Sequence, residues 1–189
     1  MFKPFTASNA LFKLKPVYSN EQDFTAATNG VLSIFSNPKI LDFHPEKSLK
    51  TIEDANTYIS GTVIGYSAKI HYNHFIFEKE TNNVIGVFEI STHRRIFARY
   101  QFLNEIAIGS PFLRKTWMVE YYLKPDYWGR GIVSGFLGLI INQIFSDSDS
   151  SVSALTNKDN FRSKRILVKH DFKLFMTYDK GNEHWIKTQ

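Results

Sequence analysis

Apolar and polar residues alternate along Leu11-Phe12-Lys13-Leu14-Lys15-Pro16-Val17, which predicts a first strand. The polar run Ser19-Asn20-Glu21-Gln22-Asp23 then supplies capping residues for a helix toward Phe35, which Asn37-Pro38 ends. After a loop through Phe43-His44-Pro45, a second helix is predicted from Ser48 to about Ile64, its start at Thr51-Ile52-Glu53-Asp54 carrying the acids that a helix dipole favours. Lys69 to Glu78 and Asn83 to Ser91 are rich in aromatic and β-branched residues and are separated by Lys79-Glu80-Thr81-Asn82, the pattern of an antiparallel hairpin. From Arg94 to Phe112 two readings stay open: a strand pair made of Tyr100-Gln101-Phe102-Leu103 and Glu105-Ile106-Ala107-Ile108, or an ordered insertion.

Thr116 to Leu123 is a strong strand that leads through Lys124-Pro125-Asp126-Tyr127-Trp128 into Gly129-Arg130-Gly131. From there Val133, Phe136, Leu137, Ile140 and Ile144 recur at helical spacing, and the opposite face is also apolar, which predicts a deeply buried helix. The polar stretch Ser146 to Ser151 is short enough to connect elements of one domain. Val152 to Leu155 reads as a strand, Asn160 to His170 as a helix carrying Arg162, Lys164, Arg165 and Lys169, and Lys173 to Tyr178 with His184 to Lys187 as a closing hairpin. No internal repeat is visible.

Composition narrows the chemistry. A chain of 189 residues with 17 Phe and 9 Tyr has enough apolar mass for one compact domain, 1–189. With no cysteine, disulfides, a thiolate nucleophile, acyl-cysteine intermediates and a cysteine-bound zinc are excluded. No apolar run approaches the roughly 18 to 20 residues that span a bilayer, and Met1-Phe2-Lys3-Pro4 lacks a signal-peptide pattern, so the expectation is a cytoplasmic protein without a membrane partner. The net charge of +5 suits an anionic ligand, and is equally ordinary for solubility.

Two glycines between a strand and a helix let the backbone turn tightly and approach a ligand, while the N–H groups of the next helical turn lack intrahelical partners and face an incoming anion. Such a turn is also, about as often, a plain connection. What decides between these is the second stretch, Asn160-Phe161-Arg162-Ser163-Lys164-Arg165-Ile166-Leu167-Val168-Lys169-His170-Asp171-Phe172. Together the two segments resemble the signature stretches of the GNAT N-acetyltransferases, especially the branch of the ribosomal-protein N-terminal acetyltransferases (RimJ/RimL-like). Trp128, Gly129, Gly131, Asn160, Ser163, Lys169 and Phe172 match that pattern position for position.

The resemblance implies an α/β (α+β) GNAT fold, with a mixed, mostly antiparallel central sheet flanked by helices. It implies acetyl-CoA, or a related acyl-CoA, as acyl donor, its pyrophosphate on the amides of Trp128, Gly129, Arg130, Gly131, Ile132, Val133 and Ser134. Arg130 and the Ser134 hydroxyl add polar contacts. By the same resemblance the pantetheine arm runs along Tyr121-Tyr122-Leu123 and the strand Val152 to Leu155, held by Asn160. Lys164 and Arg165 fit either the nucleotide end or a solvated helix face.

Direct acyl transfer needs an amine free of its extra proton, a stabilised oxyanion and a proton for the departing thiolate. Glu120 is the first candidate for the base, with Glu89 and Glu105 as weaker substitutes, and its other reading is a polar residue on the less buried side of its strand. Ser163 is first choice for the acid and Tyr122 second, since Leu167 stands where many relatives carry a tyrosine. A backbone N–H near Leu123 serves the oxyanion.

Several positions depart from the family pattern. Val133 stands in place of a small residue, Asp171 in place of glycine before Phe172, and Glu120 where this branch has glycine. A left-handed cap accommodates Asp171. His71 and His74 fall on opposite faces of a strand, so no metal is expected, and His170 reads as a cation at a helix C-terminus.

Three functions compete. The first is an acetyl-CoA-dependent N-acetyltransferase that binds acyl-CoA and an amine acceptor together, with no nucleic acid, as monomer or homodimer. The second is a CoA-binding module without catalysis, a sensor or interaction protein. The third, a dinucleotide-binding protein, is disfavoured by Ser134 in place of the third glycine and by the antiparallel strands before the turn.

Overall fold

In the computed structural model the residues described are 2–17, 21–92, 95, 116–147, 151–178 and 181–189. Most of the Arg94–Lys115 stretch, including Glu105 and both of its possible strands, lies outside them. Among the described residues eight strands form one sheet of order β1-β2-β3-β4-β5-β6-β8-β7. It is mixed: β1/β2, β2/β3, β6/β8 and β7/β8 are antiparallel, and β5/β6 is parallel. By its contacts the chain divides into two compact units.

One unit comprises residues 4–89 and 121–132. It contains β1 (Ala7–Ser8), β2 (Phe12–Lys15), α1 (Glu21–Phe35), the short α2 (Pro38–Leu41), a 3-10 turn (Pro45–Lys47), α3 (Ile52–Ala68), β3 (His71–Glu78) and most of β4 (Val84–Thr92). Ala27, Val31, Ile34 and Phe35 recur at helical spacing on α1, and all four are fully buried. They pack in one cluster with Ala55 and Ile59 of α3, Phe75 and Phe77 of β3, and Val84 and Val87 of β4. Each large side chain there contributes about 1.5–3 kcal/mol through burial. α3 starts four residues later than its sequence pattern suggests. The reason is a capping box, in which Thr51 Oγ1 accepts the Asp54 N–H at 3.2 Å and Asp54 Oδ2 accepts the Thr51 N–H at 3.0 Å. The turn between β3 and β4 is closed by the Glu78 N–H on the Asn83 carbonyl and by Asn82 in a left-handed conformation (φ 55°).

The other unit comprises residues 1–3, 90–120 and 133–189. It holds most of β5 (Thr116–Leu123) and α4 (Ile132–Asp147), and all of β6 (Ser151–Asn157), α5 (Phe161–Lys169), β7 (Lys173–Thr177) and β8 (Asn182–Lys187). α4 buries Val133, Phe136, Leu137, Ile140, Ile141 and Ile144, on more than one face as expected. The parallel register runs from Thr116 opposite Ser151 to Met118 opposite Ser153, whereas β6 continues to Asn157. Asn160 caps α5, its Oδ1 accepting the Ser163 N–H at 3.1 Å. Asp171 follows the helix end at φ 61°, the left-handed stop expected there. β7 lies at the end of the strand order and all five of its residues are exposed.

Candidate active site

The turn that follows β5 is built in three steps. Pro125–Tyr127 form one 3-10 turn, which the Trp128 N–H closes on the Pro125 carbonyl at 3.0 Å. The Trp128 indole Nε1 donates back to the Leu123 carbonyl at 2.7 Å and ties the turn to the strand end. Gly129 and Gly131 then take φ of +77° and +74°, left-handed values that only glycine adopts without strain, and α4 begins at Ile132. Among the described residues, chain neighbours aside, no atom lies within 4 Å of where a Cβ would sit on either glycine, so conformation and not space imposes them.

The Trp128 amide, the first of those expected to face the pyrophosphate, is engaged inside its own turn. Gly129, Arg130 and Gly131 are exposed, while Ile132, Val133 and Ser134 are buried. Arg130 lies with its guanidinium 5.0 Å from the Tyr127 ring centre, and the Tyr127 hydroxyl donates to Glu78 Oε1 at 3.0 Å. Burial, followed by the bond to Glu78, pushes the Tyr127 phenol above its ordinary value.

Ser134, which the sequence offers to a phosphate, is 9% exposed and its hydroxyl lies 3.0 Å from His170 Nε2. His170 caps the C-terminus of α5, as its position predicts, but it is no simple helix-end cation. Burial lowers its affinity for a proton, and a backbone hydrogen bond with Ser134 only partly offsets this. Asn160, expected to hold the pantetheine arm, uses its side-chain oxygen to cap α5, and Ser163 stands half-buried in the first turn of that helix. Lys164 is also engaged, with its ammonium 3.0 Å from Glu183 Oε1 and 3.1 Å from the Lys158 carbonyl, whereas Arg165 is exposed.

Along β5, Glu120 and Tyr121 are half-buried and Tyr122 and Leu123 buried. The Tyr121 ring packs on Phe88 at 5.9 Å. The Tyr122 ring is 4% exposed and meets Phe35 edge-on at 4.9 Å and His44 at 5.0 Å, with the Lys47 ammonium 5.0 Å from its centre.

Lys47 belongs to a buried polar network that the sequence pattern did not announce. Its ammonium contacts both oxygens of Glu89 at 2.6 Å, and Tyr58 donates its hydroxyl to Glu89 Oε1, also at 2.6 Å. Asn73 Nδ2 donates in turn to the Tyr58 hydroxyl at 3.1 Å and to Thr62 Oγ1 at 2.8 Å. Glu89, a weaker substitute for the base, thus has its carboxylate held inside this network. The one sequence signal was Glu89 itself, a charge inside the apolar run Val84 to Ile90. A cavity of about 510 Å³ is lined by Ser48, Leu49, Lys50, Asp54, Thr57 and Tyr58.

No helix among the described residues is long and apolar enough to cross a membrane. Among them no group of three or more His, Asp or Glu residues is arranged to hold a metal ion.

Comparison with known proteins agrees with this geometry. No curated protein matches the sequence. Among solved structures, a ribosomal-protein-S5-alanine acetyltransferase from Vibrio fischeri superposes with a TM-score of 0.70 at 14% identity, over 97% of this chain and 96% of that one. The ribosomal L7/L12 alpha-N-protein acetyltransferase RimL, in complex with coenzyme A, gives 0.71 at 14% identity over 96% of each chain. The microcin C7 self-immunity acetyltransferase MccE, in complex with acetyl-CoA and AMP, gives 0.71 at 16% identity, over 96% of this chain and 94% of that one. At such identities these likenesses speak for the fold. The acetyltransferase (GNAT) domain profile, however, matches residues 16–173, most of the chain, across both signature stretches. The chain therefore belongs to the GNAT acetyltransferase family.

Proposed function

We propose that the protein is a single acetyltransferase domain, 1–189, that moves an acetyl group from acetyl-CoA directly to an amine of a small molecule or a protein N-terminus. The observation that carries this reading is the pair of left-handed glycines, Gly129 and Gly131, opening α4 with exposed backbone. The N–H groups from Gly129 through Ser134 and the positive end of the helix dipole suit a pyrophosphate. Arg130 adds a cation at the rim. Beyond Ser153 the backbone of β6 suits the amide-bearing pantetheine arm. RimL and MccE, with the same fold, hold CoA and acetyl-CoA in their complexes.

In the reaction the amine nitrogen attacks the thioester carbonyl carbon, the C–N bond forms and the C–S bond breaks. The nitrogen gives up one proton and the thiolate takes one, so the atoms balance with CoA as the second product. Glu120, half-buried on β5, is our choice to receive the amine proton, and Ser163 or Tyr122 to supply the thiolate. Cytoplasmic location and a monomeric or homodimeric state complete the proposal.

Two measurements test it. Acetyl-CoA raises the melting temperature while NAD does not, and the absence of a shift with every CoA ester overturns the reading. Free thiol is then followed in a panel of amines, polyamines, aminoglycosides and N-terminal peptides. Silence across that panel, with the thermal shift intact, favours a CoA-binding module over an enzyme.

A further inference from the structure

The Lys47–Glu89 pair is an unusual thing to find in this core. The Lys47 and Glu89 side chains are 8% and 2% exposed. Burying two charges costs several kcal/mol per ion, and well-packed apolar residues of similar size commonly replace such a pair without loss of stability. Packing alone therefore does not call for it. What a charged pair supplies, and an apolar pair does not, is a cation fixed in place between aromatic rings. The Lys47 ammonium is 5.0 Å from the Tyr122 ring centre and 5.7 Å from that of Phe35.

Its position is determined from three sides. Lys47 projects from the 3-10 turn before α3, Glu89 holds it bidentately from β4, and Glu89 is oriented by Tyr58 of α3, which Asn73 of β3 orients in turn. In this chain of bonds the Tyr58 hydroxyl donates to the carboxylate and accepts from the Asn73 amide. The same 3-10 turn delivers His44, whose carbonyl accepts the Lys47 N–H at 3.0 Å and whose ring packs on Tyr122.

We infer that Lys47 is a positioning residue for acyl transfer: clamped by Glu89 and Tyr58, it locks the ring of Tyr122 on the strand that precedes the glycine turn. The inference rests on the acetyl-transfer reading above and assigns Lys47, Glu89 and Tyr58 to its catalytic step instead of donor binding. A cation over a ring face adds attraction beyond packing, and more so where water is excluded. With the clamp removed, the ring samples other orientations and the donor still binds.

The test uses the full chain. Lys47→Met, and Lys47→Met/Glu89→Leu as a variant with no unpaired buried charge, are compared with the wild type by turnover on an acceptor found in the panel, and by the flip rate of the Tyr122 ring in NMR of tyrosine-labelled protein. The double variant is expected to fold, keep the acetyl-CoA thermal shift and the KM for acetyl-CoA within about twofold, lose tenfold or more in kcat, and show faster ring flips. Lys47→Arg, which keeps a cation, is expected to recover part of kcat. A double variant with unchanged kcat, or with an unchanged ring-flip rate, overturns the assignment. A wild type that turns over no acceptor while Lys47 controls the ring as stated overturns the acetyl-transfer reading instead.

Discussion

The Ser134 hydroxyl lies 3.0 Å from His170 Nε2 and so links the first turn of α4 to the end of α5. The residue at the mouth of the proposed anion site is thus held by an imidazole that burial keeps short of its ordinary proton affinity. A neutral imidazole and a hydroxyl share one proton, and the backbone amides are left to meet the phosphates. Ser134→Ala is expected to cost about 1 kcal/mol of stability, the value of one hydrogen bond, and to weaken acetyl-CoA binding less than tenfold. Urea unfolding and calorimetric titration measure the two. A hundredfold loss of affinity would assign the hydroxyl a direct phosphate contact.

Gly131→Ala separates strain from crowding. Among the described residues nothing beyond the chain neighbours lies within 4 Å of the new Cβ, but the residue must hold φ near +74°. The expected cost is about 1–2 kcal/mol, with loss of most of the acetyl-CoA thermal shift as the turn relaxes toward negative φ. A variant that keeps full stability and the full shift shows that the turn tolerates other geometries.

Gly86→Ala tests a different constraint, in β4. Its Cβ would lie 2.8 Å from both the Tyr122 carbonyl oxygen and Leu123 Cδ1. The carbonyl belongs to the strand end that Trp128 also grips, and cannot move aside cheaply. About 1–3 kcal/mol of destabilisation is expected from overpacking, read from the urea midpoint.

Stability should depend on acid. Burial holds the imidazole of His74 down to about 3 and that of His184 down to about 4, against 6.5 in an unperturbed chain. As pH falls below about 6.5 the unfolded chain takes up these protons first, so stability present at neutral pH is lost progressively until the folded-state values are reached. His184 by itself accounts for about 3 kcal/mol between neutrality and pH 4. The melting temperature is therefore expected to drop steeply from pH 6.5 to 4, and less steeply in His184→Phe. Equal slopes in the two proteins would remove His184 as a source.

Much of this was readable in the chain. Tight turns are written locally: Asp171 takes left-handed φ, and Gly129 and Gly131 open α4, because their conformations depend on neighbours a few residues away, whereas the start of α3 was read at Ser48 and the Thr51–Asp54 capping box sets it at Ile52. The proposed donor site lies in the signature stretches for the same reason, since a backbone cradle is made by consecutive amides. Less readable was the use to which a polar side chain is put. Asn160 carries the residue type the family pattern asks for and Ser134 a hydroxyl suited to a phosphate, yet Asn160 Oδ1 caps a helix and Ser134 faces His170.

By itself, then, the sequence determined the order of the longer described elements, the glycine turn and the family resemblance, all of which rest on short stretches of chain. Only the tertiary structure decided that Lys47, Tyr58, Asn73 and Glu89 meet. They come from a 3-10 turn, a helix and two strands, and Lys47 and Glu89 are 42 residues apart along the chain. A lysine that will be buried looks in sequence like one that will be solvated. Its fate depends on whether folding brings it a carboxylate, and that is set by the packing of distant elements against one another.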